Sequence, residues 1–208
     1  MGIKYVSGRD AEEIDESDFD QVSDDLVKSL FSGLDSDNVK LKGKGPEDIR
    51  KSVVADVMQM IKNSHIVLAL DDEKVVGMEG YKVVNITEDG RPVIELSHVV
   101  VDADYRRQDV STHMYSKLLS EVLLSCPNCI IVATSRDQVF QNFARNRGYK
   151  MESLQKAFDL MGRKDGPEYV QSMEGIGFKG LVFDPKSPSK FGSVDGYFEP
   201  PAFYPTYR

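Results

Sequence analysis

One stretch of the chain, residues 95–114, constrains the fold more than any other. It opens with an apolar, β-branched run and breaks at Asp102-Ala-Asp104. A short basic loop then leads into a segment in which apolar residues recur every three or four positions, at Val110, Met114, Leu118, Leu119, Val122 and Leu123. The first pattern is typical of a strand and the second of a helix, so the stretch predicts a strand, a tight loop and a helix.

The start of this helix is suited to an anionic ligand. A helix N-terminus that follows a strand presents unpaired N–H groups and the positive end of a dipole, and can hold a phosphate. Arg106 and Arg107 add cationic side chains at the same place. The alternative is an ordinary strand-loop-helix unit with surface arginines, and the local pattern leaves both interpretations open.

The order of residues from Val99 to Ser111 resembles motif A of the GNAT superfamily, the acyl-CoA-dependent N-acetyltransferases. In that family an Arg/Gln-x-x-Gly-x-Gly/Ala loop wraps the CoA pyrophosphate, and a backbone N–H of the preceding strand binds the thioester oxygen. The resemblance implies that acetyl-CoA is the co-substrate. The residues that it implies as binding acetyl-CoA are Val99, Val100, Val101, Arg106, Arg107, Gln108, Asp109, Val110 and Ser111.

Two positions of this loop depart from the family pattern. Asp109 stands where the family has its first glycine, and Ser111 stands where it has glycine or alanine. Serine is small and donates a hydrogen bond, whereas aspartate lacks the conformational freedom of glycine and brings a negative charge near an anionic ligand. The Asp109 side chain is expected either to face that ligand or to turn away and cap the helix.

Residues 137–149 resemble motif B of the same superfamily. Asp137 is expected to cap a short helix that Gly148 ends, and Tyr149 to begin another strand. Ala144 occupies the position at which many members carry a tyrosine that protonates the departing CoA thiolate. Either another hydroxyl replaces it or the thiolate leaves unaided. The candidate hydroxyls are Tyr149, which we take as the catalytic residue, Ser135 and Tyr115.

Acyl transfer to an amine also needs a base to take a proton from the nucleophile. Glu95 lies on the strand before the loop, with the same alternation as Val99 and Val101, and a similarly placed glutamate acts as base in several family members. A surface or paired glutamate is the alternative interpretation. His98 has the opposite alternation and is predicted to point away from Glu95.

The order of predicted elements matches an α/β fold of GNAT type. The chain begins with a predicted strand at 3–7, an acidic helical segment and a helix from Pro46. Three antiparallel strands and the motif helix come next. A parallel strand at 129–133, a short helix and a further strand complete the order. We expect a mixed central sheet with antiparallel N-terminal strands, a parallel pair flanking the CoA cleft, and helices on both faces.

We predict an acyltransferase domain at 1–158, with an acidic helical lobe at 10–62, and a C-terminal extension at 159–208. The acidic face of that lobe is expected to be solvated or to dock a basic partner. The extension carries a last predicted strand near 178–183 and an aromatic, proline-rich tail. Because aromatic residues are unusual in disordered tails, the tail is expected to pack on its own domain, to form a homodimer or to act as an acceptor-site lid.

Composition narrows the class of partner. A net charge of −8 argues against a nucleic-acid binder. No apolar run approaches the roughly 20 residues that span a bilayer, and the acidic N-terminus does not resemble a signal peptide, so we expect a cytoplasmic protein without a membrane partner. Cys126 and Cys129 form a lone CxxC, which could be a redox pair or half of a metal site. No second ligand pair accompanies it, and its position at the turn before an apolar strand favours two structural thiols.

The predicted function is transfer of an acetyl or other acyl group from a CoA thioester to an amine acceptor of unknown identity. Two alternatives remain. A catalytically degenerate GNAT-fold module that binds a ligand or protein is one, because the loop glycine and the motif B tyrosine are both lost. A GNAT-fold phage-type enzyme that modifies DNA bases is the other, and the acidic charge disfavours it.

Overall fold

The computed structural model describes residues 2–11, 14–31, 45–72 and 74–186. Within these ranges seven strands form one sheet in the order β1-β2-β3-β4-β5-β7-β6. The strands are β1 Lys4–Ser7, β2 Ile66–Asp71, β3 Lys74–Ile86, β4 Pro92–Val101, β5 Ile130–Ser135, β6 Lys150–Glu152 and β7 Lys179–Phe183. The helices are α1 Asp20–Phe31, α2 Pro46–Lys62, α3 Val110–Ser125, α4 Gln138–Arg145, α5 Leu154–Leu160 and α6 Pro167–Gly175.

Helices cover both faces of this sheet. One core lies under α3 and α4, and we call this side the α3 face. Two further cores lie on the other side, one under α1 and α2 and one under α5 and α6, and we call this side the α2 face. β4 and β5 are parallel, whereas the other neighbouring strands are antiparallel. The predicted α/β class, with one parallel pair in a mixed sheet, is confirmed.

Local signals explain several of these elements. Pro46 is in the first turn of α2 with Glu47 and Asp48, and the helix buries an apolar stripe of Val53, Val57, Met60 and Ile61. The Asp137 carboxylate caps α4 by accepting the N–H of Val139 at 2.7 Å. Gly148 has φ +86, which glycine adopts without the steric cost of a Cβ atom. The predicted cap is therefore confirmed, whereas α4 ends before Gly148, at Arg145 with Asn146 as its C-cap.

The segment after residue 158 completes the same sheet. β7 pairs with β5 on one side and β6 on the other, and α5 and α6 cover it on the α2 face. α5 was not predicted from the sequence, because its buried apolar set, Leu154, Ala157 and Phe158, spans little more than one turn. The aromatic tail, and with it the predicted homodimer contact or lid, lies outside the described residues.

Gly180 allows α5 to approach β7 closely. A Cβ atom at this position would lie 2.7 Å from both the Ala157 Cβ and the Ser153 carbonyl oxygen. Because backbone cannot move aside as a flexible side chain can, Gly180→Ala is expected to lower the free energy of unfolding by about 1–3 kcal/mol. Denaturant unfolding measures this. Gly166→Ala is the matched control, because nothing lies within 4 Å of its added Cβ, and equal losses in the two variants would contradict the close-packing account.

None of the helices in the described ranges is both long enough and apolar enough to cross a membrane.

Candidate active site

β4 and β5 pair over only part of their length. Val93, Ile94 and Glu95 pair with residues 130–132 of β5. β4 continues to Val101 and β5 to Ser135 with no further pairing between these two described strands. Parallel strands that separate before they end leave an opening, bordered by backbone groups that the sheet does not use.

A β-bulge in β4 lies where the strands separate. Met78 of β3 is opposite Val100 and Gly80 is opposite Ser97, so Glu79 alone faces the two residues 98 and 99. His98 adopts φ +57, in the left-handed region. A bulge bends its strand and increases the local twist, and here it accompanies the divergence of β4 from β5.

The bulge corrects two predictions that rested on strict alternation. Val101 was expected on the same face as Glu95, but it packs against the core of the α3 face. His98 was expected to point away from Glu95, but its Nε2 lies 3.8 Å from Asp56 of α2. Glu95 itself lies on the α2 face, since its cross-strand partner Lys82 also binds Asp56 there. One extra residue in the strand reverses every later side chain.

The end of β4 directs a backbone N–H into the opening. The Asp102 N–H donates to the Val76 carbonyl of β3 at 2.9 Å. Because backbone groups alternate between the two edges of a strand, those of Val101 face away from β3, towards the opening. The Val101 carbonyl accepts a hydrogen bond from Arg106 Nε at 3.0 Å, and its N–H points to the same side.

Two residues of the loop after β4 adopt the left-handed backbone conformation that glycine favours. Arg107 has φ +61 and Asp109 has φ +59, both left-handed. Asp109 is the N-cap residue of α3, but its side chain makes no capping hydrogen bond and is exposed. Capping was one of the two expectations for this carboxylate, and it is wrong. The first turn of α3 therefore keeps its N–H groups free of a side-chain cap and contains no acidic residue.

A salt bridge from the β2–β3 hairpin holds this loop. The buried Asp102 carboxylate lies 2.8 Å from Lys74 Nζ, and Tyr105 donates to Asp71 at 2.7 Å. Burial alone would raise the pKa of Asp102, but the hydrogen bonds from Lys74 and the Asp104 N–H keep that pKa below its ordinary value. The carboxylate is thus charged and fixed at the base of the loop.

α1 also contacts the loop, through one acid of the segment that was predicted to have a solvated face. Asp25 is buried, and its Oδ2 accepts the Ala103 N–H at 3.2 Å. Arg106 Nη2 lies 3.9 Å from the same carboxylate, with about half of its side chain exposed. Asp25 therefore has a structural role that the sequence pattern did not indicate. Arg106 remains accessible to a ligand at the start of α3.

A buried polar cluster lies on the α3 face at the level of the bulge. Glu79 is fully buried, and burial raises its pKa to about 8, an effect that Arg147 partly opposes. Tyr115 donates to the Tyr149 hydroxyl at 3.3 Å, and burial raises the pKa of both phenols. Arg147 stacks 3.5 Å over the Phe143 ring. The sequence analysis named Tyr115 and Tyr149 as candidate site residues, but it did not identify Glu79.

A second polar cluster lies on the α2 face. Lys82 Nζ binds Asp56 at 2.8 Å, and half-buried Glu95 lies opposite Lys82 on β4. Burial lowers the pKa of His98 to about 4, although Asp56 opposes this shift, so the imidazole is neutral at physiological pH. The two clusters lie on opposite faces of the sheet.

Unsatisfied polar atoms concentrate at the bulge. Six buried side-chain nitrogen or oxygen atoms in the described residues have no hydrogen-bond partner. Four of them belong to Glu79, Ser97 and His98. Buried polar atoms without partners are costly in a folded protein, and they cluster where a ligand supplies the missing partners. Among the described residues, the bulge is therefore the place where a ligand would satisfy the most unpaired buried polar atoms.

Neither a reactive thiol nor a cluster of metal ligands is found among the described residues. Cys126 and Cys129 are free thiols, and burial raises the pKa of Cys129 to about 12, so that it is unreactive. Among the residues that the structure describes, no three His, Cys, Asp or Glu side chains converge as metal ligands would.

The titration of Glu79 makes stability depend on pH. Its pKa is about 8 in the folded protein, against the ordinary glutamate value of 4.5 expected in the unfolded chain, so between these values the folded state holds a proton that the unfolded state releases. Stability from this group is therefore expected to fall as pH rises through that window. Glu79→Gln is expected to stabilise the protein by a few kcal/mol at about pH 9 and by much less at about pH 5. Denaturant unfolding at both pH values measures this, and a constant difference would contradict it.

Comparison with protein families and solved structures gives consistent results. The model of the acetyltransferase (GNAT) family matches residues 36–149. An acetyltransferase from Streptococcus agalactiae 2603 shares 14% identity over 88% of this chain and 99% of its own, with a TM-score of 0.59. A comparison with curated proteins finds no match.

Two similar structures contain CoA or its acetyl thioester. PaiA N-acetyltransferase from Thermoplasma acidophilum, in complex with coenzyme A, is 12% identical over 88% of this chain and 99% of its own, with a TM-score of 0.55. The putative acetyltransferase yncA from Salmonella typhimurium, with its cofactor acetyl-CoA, is 10% identical over 93% of this chain and 99% of its own, with a TM-score of 0.55. At these identities the likeness establishes a shared fold, and the predicted GNAT-type architecture is confirmed.

Proposed function

Because the chain belongs to the acetyltransferase (GNAT) family, we propose that it transfers an acetyl or other acyl group from a CoA thioester to an amine acceptor. The observation that carries this proposal is the opening between β4 and β5, which begins after Glu95 and lies next to the N-terminus of α3. An extended thioester arm fits between strands that have separated, and an anionic group fits a helix N-terminus. Both features meet at one place in this chain.

The residues of the loop fit a pyrophosphate. The amides of residues 108–111 lie just before and within the first turn of α3, which has no side-chain cap, and Arg106 and Arg107 add positive charge. Asp109 adopts the left-handed backbone conformation that the family's glycine would favour at this position. Its exposed carboxylate is able to turn towards solvent. In this proposal the segment of Val99, Val100 and Val101 aligns the thioester, as its Val101 N–H faces the opening.

The chemistry divides between the two faces of the sheet. The Val101 N–H donates a hydrogen bond to the thioester oxygen and stabilises the negative charge that develops there. On the α2 face Glu95 accepts a proton from the amine, directly or through a water molecule. On the α3 face Tyr149 keeps its proton, because burial raises its pKa, and its hydroxyl serves as a neutral hydrogen-bond donor to the leaving sulfur.

Acetyl-CoA binding and thiol release test this function. Wild-type protein is expected to show a saturable rise in melting temperature with acetyl-CoA, and the rise is expected to shrink in Arg106→Ala. Release of the CoA thiol is then measured with a panel of primary amines. Binding without release for any amine would favour the catalytically degenerate binding module instead. No thermal shift in the wild type would contradict both the transferase and its CoA site.

A further inference from the structure

We propose that Glu79 is a further catalytic residue, the acid that protonates the sulfur of CoA as the thioester bond breaks. This inference rests on the proposed transferase function and adds to it the source of one proton. It assigns a role to a carboxyl group that neither the sequence motifs nor the base chemistry uses.

The position of Glu79 follows from the register of the sheet. It lies directly opposite the bulge residues 98 and 99, three residues beyond Glu95, the last residue of β4 that pairs with β5. Its partner on β2 is Val67, which packs in the core of the α3 face, so the Glu79 side chain points to that face as well. This is the face that carries Tyr115 and Tyr149.

No hydrogen bond within the described residues compensates the burial of Glu79, and the charge of Arg147 offsets it only in part. Its side chain is fully buried, and neither carboxyl oxygen has a hydrogen-bond partner within the described part of the chain. A structural carboxyl group in a protein core is normally hydrogen-bonded or paired, because an unpartnered one is destabilising. A group that must meet a transient partner, such as a departing thiolate, has to keep its oxygens available.

Three titratable or charged groups act on Glu79 from the elements packed over it. These are Tyr115 of α3, Arg147 after α4 and Tyr149 before β6. Arg147 is engaged with the Thr112 hydroxyl at 3.0 Å and acts on Glu79 only through its charge. With its pKa raised to about 8, Glu79 is protonated at neutral pH and close to the value near 8.5 of an ordinary thiol. Proton transfer between the two is therefore nearly balanced, as efficient acid catalysis requires.

The proposed step balances in atoms and charge. The amine nitrogen bonds to the carbonyl carbon and gives its proton to the base. The carbon–sulfur bond breaks and its electron pair goes to sulfur. The sulfur takes the carboxyl proton of Glu79, which leaves CoA as a thiol and Glu79 as a carboxylate. The positive charge of Arg147 stabilises this carboxylate until a proton from solvent restores the acid.

Kinetics of Glu79→Gln against pH test the proposal. The amide keeps the shape of the side chain but cannot donate a carboxyl proton. With an amine that supports thiol release in the wild type, kcat is expected to fall about 100-fold or more. The alkaline limb of the wild-type pH profile, near pH 8 from the Glu79 pKa, is expected to disappear. Glu79→Asp is expected to retain that limb with reduced kcat.

Glu121→Gln is the matched control, since Glu121 lies on α3 and accepts from Ser7, away from the bulge. The affinity of each variant for acetyl-CoA, measured by calorimetry, is expected to stay within about threefold of the wild type, because no binding contact is assigned to either side chain. An unchanged kcat in Glu79→Gln, or an alkaline limb that persists in it, would overturn the role of Glu79 alone. Absence of acetyl-CoA binding to the wild type would instead overturn the transferase function.

Discussion

Glu95→Gln is expected to lower kcat by about 100- to 10,000-fold while leaving acetyl-CoA affinity unchanged. Glu95 lies in the last pair that joins β4 to β5, on the α2 face, where an amine would approach the opening. Glutamine has nearly the same volume but cannot accept the proton that the attacking amine loses. Steady-state thiol release and calorimetric titration with acetyl-CoA measure the two quantities separately.

Two further measurements make the role of Glu95 specific. Glu88→Gln, in the exposed turn between β3 and β4, is the control for the same chemical change outside the site. The acid limb of the wild-type pH profile is expected to be lost in Glu95→Gln, because no carboxylate remains to be protonated. A kcat within about threefold of the wild type would exclude Glu95 as the base. His98, neutral and on the same face, would then be the next candidate.

Ser111→Glu is expected to weaken acetyl-CoA binding by at least about 100-fold, roughly 3 kcal/mol, without loss of fold. Ser111 is the second residue of α3. A glutamate there places a second negative charge and a larger side chain where the pyrophosphate is proposed to lie. An acid in the first turn of a helix is itself favourable, so the melting temperature of the free protein is expected to stay the same or rise slightly.

Ser116→Glu separates the local effect from a general one. Ser116 is exposed on the same helix, so this variant carries the same substitution and net charge away from the proposed phosphate site. Its affinity for acetyl-CoA is expected to lie close to that of the wild type. Equal loss in the two variants would mean that overall charge, and not the start of α3, governs binding.

Elements with strong local signals were predictable from the sequence. Pro46 with two acids begins α2, and Asp137 caps α4, because these side chains act within one turn of their own position. In the strand-loop-helix unit at 95–114, apolar residues recur every second residue in the strand and every three or four residues in the helix, and this change marks the unit. The mixed sheet then follows from connection rules and from the family resemblance.

The inner arrangement of the site depends on contacts distant in sequence. The bulge at residues 98 and 99 arises from the register with β3, and no residue type in β4 marks it. Glu79 is the only acidic residue of the otherwise largely apolar strand β3, and this was the one sequence feature that could have marked it. Its burial could not be predicted, because it depends on the packing of α3 and α4 over the strand. In the sequence Asp25 is one of many acids on a charged helix. Only the structure shows that its carboxylate accepts a hydrogen bond from the distant Ala103 N–H.

A crystal structure of the protein with acetyl-CoA tests the central claim most directly. We expect the pyrophosphate against the amides of residues 110 and 111 and the thioester in the opening between β4 and β5, with its oxygen next to the Val101 N–H. The same soak of Arg106→Ala is expected to show weaker density at the phosphates. Ligand density elsewhere on the molecule, or a wild-type crystal in which the Asp109 carboxylate fills the phosphate position and acetyl-CoA is absent, would contradict the account.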